Sequence, residues 1–145
     1  VRINRIGKYI EEKFAHKYYQ EIGLGIDFTA RDLQKNLKQK GLPWEKAKAF
    51  DGSALIGSWY NKNNFSDLNQ LDFKLVKNSK TVQEGNTSQM LWSIDTLINE
   101  VSRFFTLKIG DVIFTGTPAG VGPVVVNDFL EGYLEGKKAF TLKIK

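Results

Sequence analysis

Asp27, Arg31, Gln34 and Lys48 are residues whose types and spacing could do chemistry. Asp27 stands near the end of the apolar run GLGIDF, and Arg31 and Gln34 follow at i, i+3 spacing, so on a helix their side chains project together. A carboxylate, a guanidinium and an amide leaving one strand–helix corner could hold a cation and an anionic ligand at once. Lys48 lies in WEKAKAF beside Ala47, Ala49 and Phe50. An ammonium partly desolvated by such neighbours is a candidate proton donor or base. The competing reading is plainer: a cap, a surface arginine, a solvated glutamine and one lysine of many.

A second constellation is TGTPAGVG, residues 115–122, directly after the strand-like DVIF. Glycines at 116, 120 and 122 let successive N–H groups turn toward one point, and such a concavity binds carboxylate or phosphate oxygens. Thr117 adds a hydroxyl. No Gly-Lys-Ser/Thr follows and the glycine spacing fails GxGxxG, so neither nucleotide-binding pattern is met. The competing reading is a tight bend after a strand. His16, among Phe14, Ala15, Tyr18 and Tyr19, reads as a packing or surface residue, and Trp44, Trp59 and Trp92 as core or interface anchors.

Composition narrows the chemistry. The chain has 145 residues, 21 Lys+Arg against 16 Asp+Glu, no cysteine and one histidine. Disulfide frameworks, thiolate nucleophiles and Cys-based metal sites are excluded, and one His cannot build a multi-His metal centre. The lysines at 35, 38, 40, 46 and 48 form a basic stretch, but interspersed carboxylates and a modest net charge of +5 favour a solvated face over nucleic acid. No window reaches the ~18 apolar residues of a membrane span, and VRINRIGKYI lacks the apolar core of a signal peptide. These features predict a soluble cytoplasmic protein without membrane or nucleic-acid partners.

The elements that must position these residues follow from periodicity. Residues 1–10 alternate loosely and predict an edge strand; 11–20 carry Phe14, Ala15, Tyr18 and Tyr19 at helical spacing; 23–28 read as a strand. The next helix is expected to be capped by Thr29, to bury Ala30, Leu33 and Leu37, and to stop at Gly41 and Pro43. SALIGSWY reads as a strand, DFKLVKN and KTVQEGN as a hairpin about Asn78-Ser79, and residues 90–107 as the clearest helix, with Leu91, Ile94, Leu97, Ile98, Val101, Phe104 and Phe105 in its stripe. KIGDVIF predicts a strand, VVV an apolar return, and the C-terminal run strands about Gly136. The pattern is one α+β domain over residues 1–145 with mixed sheets.

At GIDFTARDLQ, KGLPWEKAKAFDGSALIG and TGTPAGVGP the sequence closely resembles the fumarylacetoacetate hydrolase family. The likeness is to its smaller acylpyruvase-like members, which hydrolyse acylpyruvates, decarboxylate oxaloacetate, or isomerise and decarboxylate 2-hydroxy-diene-dioates. The stretch from KTVQEGNTSQ to TLKIGDVIF also resembles the family's run from a Gln-x-x-x-Thr element into TL-x-x-GD-x-I. The resemblance implies a mixed β-roll or β-sandwich of the family's C-terminal domain type, a homodimer, and a Mg²⁺ or Mn²⁺ ion held by three carboxylates. Asp27 aligns with the third of these ligands, Arg31 and Gln34 with substrate-contacting positions, Lys48 with the active-site lysine, and Gly116 and Thr117 with the loop that binds the substrate carboxylate. The chemistry it implies is a 2-oxo or 2,4-diketo acid chelating a hard cation, which stabilises the enolate left when a C–C bond breaks, with Lys48 moving a proton.

One departure accompanies the match. The family's other two ligands come from a Glu-x-Glu element upstream of the region where Val1 lies, and no Glu-x-Glu occurs here; Glu11 and Glu12 are adjacent and do not substitute. A lid-borne His and Glu used by related members is absent as well. The expectation is an N-terminally truncated catalytic domain with a weak metal site and impaired activity, or alternatively a non-catalytic homologue that serves only as a dimerisation partner.

Overall fold

The computed structural model describes all 145 residues, Val1–Lys145. The elements run β1 (Arg2–Ile3), α1 (Glu12–Ala15), β2 (Tyr19–Asp27), α2 (Arg31–Gln39), β3 (Ala54–Asn61), β4 (Asp72–Lys77), β5 (Lys80–Asn86), α3 (Ile94–Phe104), β6 (Phe129–Leu134) and β7 (Lys137–Lys143). A three-stranded sheet has the order β1-β2-β3 and a four-stranded sheet the order β5-β4-β6-β7. The pairings β1–β2, β4–β5, β4–β6 and β6–β7 are antiparallel. This is the expected α+β class. Two compact units divide the chain: Val1–Leu24 with Gly57–Lys145, and Gly25–Ile56.

The larger unit holds the main apolar core, in which Ile3, Ile10, Tyr19, Ile22, Leu71, Ile98, Leu107 and Leu134 are buried together. Helix α3 feeds it through Ile94, Ile98 and Val101, a single stripe at helical spacing. Ser93 caps this helix by accepting from the Thr96 amide at 3.1 Å. The helix is shorter than its periodicity suggests. Leu91 is 98% exposed and lies before the cap, and Phe104 and Phe105 at the far end are also exposed. Both hairpins close where turn chemistry predicts: Asn78 and Ser79 have φ of 50° and 66°, and Glu135 and Gly136 have φ of 49° and 70°.

Three expectations are corrected in this unit. The helix expected over 11–20 is only α1, because β2 begins at Tyr19, whose ring enters the core as a strand residue. KIGDVIF forms a single bridge, Arg2↔Val112, rather than a strand, since its partner β1 is only two residues long. The apolar return at 124–126 is not a strand either, and Val125 and Val126 face solvent.

In the smaller unit α2 ends in a glycine stop. The Leu42 amide donates to Leu37 O at 3.0 Å and the Gly41 amide to Lys38 O at 3.1 Å, with Gly41 at φ 62°. This is the Schellman arrangement, in which a left-handed residue satisfies the last carbonyls. The start of the helix differs from expectation. Ala30, not Thr29, occupies the N-cap and no side chain caps it. The buried stripe also shifts: Gln34 is the buried residue of α2, while Leu33 is exposed.

Candidate active site

Asp27 is the last residue of β2, and Lys48 follows a short 3-10 turn, Glu45–Ala47. The turn is pinned from within the unit. The Ala30 amide donates to Ala47 O at 3.0 Å, the Lys48 amide to Glu45 O at 2.8 Å, and Ala47 itself is fully buried. So fixed, the Lys48 ammonium donates to Asp27 Oδ2 at 2.6 Å and to Thr29 Oγ1 at 2.7 Å. The hydroxyl expected to cap α2 is therefore committed to Lys48 instead. Sequence reading missed Thr29 as a site residue; its place two positions beyond Asp27 was the available signal.

Arg31 opens α2 and donates through one guanidinium nitrogen to Gln34 Oε1 at 2.8 Å, the i, i+3 meeting that the spacing predicts. The structure thus joins Asp27, Thr29 and Lys48 in one group and Arg31 with Gln34 in another. Asp27 stands against Lys48, and Arg31 begins a helix whose first turn also carries Asp32. Lys48 has two of its three N–H donors engaged, and Arg31 retains donors beyond the one given to Gln34. Both are equipped to receive an anionic oxygen.

The Gly-rich loop belongs to the larger unit and lies along β5. Gly116 and Gly120 have φ of 135° and 97°, a region that only glycine enters without strain, whereas Gly122 does not. Gly120 also has no room for a side chain, since a Cβ there would lie 2.3 Å from Val82 O. Gln83 Nε2 donates to Thr117 Oγ1 at 3.2 Å and to Pro118 O at 3.1 Å. The far end is gripped from β4 and its turn. Lys77 Nζ donates to Pro123 O at 2.9 Å, and Asp128 accepts from the Val125 amide at 2.9 Å and from Asn78 Nδ2 at 2.7 Å. The Val125 amide, Asn78 and then Lys77 hold the Asp128 carboxyl below its ordinary range. Gly116 and Thr117 are exposed on a loop whose backbone is fixed at both ends.

The donors for a divalent cation are incomplete. No group of three or more His, Cys, Asp or Glu side chains converges anywhere in the 145 residues, and Asp27 is engaged by Lys48. A hard cation takes six or more oxygen ligands, so these residues do not by themselves fit one. His16 is exposed, and only its backbone carbonyl is used, by Lys62.

Residues 1–143 match the fumarylacetoacetate (FAA) hydrolase C-terminal family, and the chain belongs to that family. It is 40% identical over 145 residues to the mouse (Mus musculus) mitochondrial oxaloacetate tautomerase FAHD1, covering all of this chain and 66% of that protein. Against the Escherichia coli oxaloacetate tautomerase YcgM it is 40% identical over 131 residues, covering 90% of this chain and 60% of the other. The structure of Pseudomonas aeruginosa fumarylpyruvate hydrolase, in complex with Mn²⁺ and pyruvate, superposes with a TM-score of 0.92 at 33% identity, covering 99% of this chain and 61% of that one. The chain therefore spans less than two thirds of the length of each of these relatives.

Proposed function

We propose that this chain carries the Lys48 and Gly-rich-loop part of an enzyme acting on 2-oxo acids such as oxaloacetate or an acylpyruvate. The observation that carries the reading is the fixed ammonium of Lys48, held by Asp27 and Thr29 at 2.6 and 2.7 Å with one N–H left over. An ammonium so oriented can donate to an enol or enolate oxygen, or return a proton, as the substrate interconverts or its C–C bond breaks. Arg31, braced by Gln34, offers its remaining N–H groups to a carboxylate. Gly116 and Thr117 offer a second carboxylate site on their own loop. The relatives named oxaloacetate tautomerase and fumarylpyruvate hydrolase favour this substrate class, since both act on 2-oxo acids.

A divalent cation, Mg²⁺ or Mn²⁺, would supply Lewis-acid charge to the 2-oxo acid when bound. Asp27 is its one prospective ligand here, and the remaining donors would come from residues outside these 145. We also propose a homodimer in the cytoplasm. Leu91, Phe104, Phe105 and Ile109, all exposed in the larger unit, support burial against a second copy, and no helix is long and apolar enough to cross a membrane.

The test is turnover of oxaloacetate and of an acylpyruvate by the protein expressed from its own gene, with Mn²⁺ or Mg²⁺ added. Metal-dependent loss of enol or diketo absorbance supports the reading; silence with both substrates refutes it. The incomplete donor set favours one second reading, a non-catalytic homologue acting by association. Stable dimers without turnover or a metal response would select it.

A further inference from the structure

Three residues of β5 bed the Gly-rich loop. Val82 O lies under Gly120, Gly85 leaves room for Pro118, and Gln83 reaches out to the loop between them. Only Gln83 makes directional bonds there through its side chain. Its Nε2 lies 3.2 Å from Thr117 Oγ1 and 3.1 Å from Pro118 O. A carbonyl oxygen carries no proton, so the Gln83 atom facing Pro118 O must be the nitrogen, and the orientation of the amide is settled by chemistry. The same nitrogen then donates to Thr117. A hydroxyl has one proton and two lone pairs; accepting from Gln83 leaves the Thr117 proton free to point elsewhere. Thr117 is exposed, so the free proton has access to a ligand.

We infer that Gln83 is a positioning residue, which fixes the Thr117 hydroxyl as a donor toward a ligand carboxylate. This rests on the carboxylate reading of Thr117 given above and deepens it. Gln83 acts only through Thr117 and its loop, and it touches no reacting atom. The reason for a glutamine follows directly. Methionine has similar length but no donor, and glutamate would set an oxygen against Pro118 O and draw the Thr117 proton inward.

The test is a double-mutant cycle read by pyruvate binding, measured calorimetrically with Mn²⁺ present on the protein expressed from its own gene. Gln83→Met and Thr117→Val should each raise the pyruvate Kd about tenfold, the cost of one charge-assisted hydrogen bond. The double variant should be no weaker than about twice the weaker single, because residues acting through one another are not additive. Melting temperatures should stay near the wild-type value, since a role in packing alone would move them. If Gln83→Met does not fold, Gln83→Glu takes its place in the cycle with the same expected loss. Wild-type pyruvate affinity in Gln83→Met, or a cycle that adds, overturns the role of Gln83 while leaving Thr117 a ligand residue. A wild-type protein that does not bind pyruvate overturns the carboxylate reading itself, and this inference with it.

Discussion

Lys48 Nζ and Asp27 Oδ2 stand 2.6 Å apart with Thr29 Oγ1 as the second acceptor, yet the pair is open to solvent, its side chains 31% and 48% exposed. Exposed ion pairs contribute about 0–1 kcal/mol to stability, so the arrangement sets geometry far more than it holds the fold. Lys48→Met is expected to lower turnover of the active 2-oxo acid by about a hundredfold or more, the usual range for loss of a proton-transfer group. Its unfolding free energy should change by no more than about 1 kcal/mol. Stopped-flow turnover and denaturant unfolding of the same preparation check the two halves together.

Asp128 predicts a pH signature. Its folded carboxyl is held below the ordinary 3.8 by the Val125 amide, Asn78 and Lys77. The unfolded chain therefore binds a proton more readily, and the stability from Asp128 is fully present above that ordinary value and lost as pH falls through the folded one. Asp128→Asn should melt below wild type at pH 7, and the gap should close in acid. A gap unchanged down to pH ~3, below the ordinary carboxylate range, would contradict the assignment.

Two glycines in one loop make a paired comparison. Gly120 combines φ of 97° with a Cβ position 2.3 Å from Val82 O, whereas Gly122 has neither the positive φ nor any atom within 4 Å. Gly120→Ala should cost about 1–3 kcal/mol through strain and displacement of β5. Gly122→Ala should be within about 0.5 kcal/mol of wild type. Thermal unfolding of both variants decides it.

A metal titration tests the donor count. A ligand at about 100 times its Kd stabilises the folded state by about 2.7 kcal/mol. The 145-residue chain, with no three-donor group, should show no melting shift in millimolar Mn²⁺ or Mg²⁺. A shift that Asp27→Asn abolishes would mean that this chain completes a metal site by itself.

How much was legible in the sequence depended on whether a signal was local. The two hairpins were, because Asn78-Ser79 and Glu135-Gly136 encode positive φ at their turns. The pairing of Arg31 with Gln34 was local too, set by helical spacing alone. Thr29 was misassigned because a threonine before a helix has two uses, and the choice was made by Lys48, distant in sequence. The burial of Gln34 was not legible because Leu33 and Leu37, four residues apart, marked a different face of α2 as the inner one, and Leu33 is exposed. Residues 124–126 erred in the other direction. Three valines signal a strand only when they find a partner, and residues 124–126 pair with no strand of either sheet.

The strand order β5-β4-β6-β7 places β4 at the centre of its sheet, between a neighbour that follows it at once and one made only after α3 and the Gly-rich loop. During synthesis on the ribosome β4 can close with β5 almost immediately, while its other edge waits for β6. An open edge of that kind is where nascent chains recruit one another. Lys74 and Lys77 lie on β4, so the waiting edge carries positive charge. The Lys77 that grips Pro123 in the folded chain is thus one of the charges on the edge that waits for β6, and charge on an unpaired edge opposes pairing with another chain.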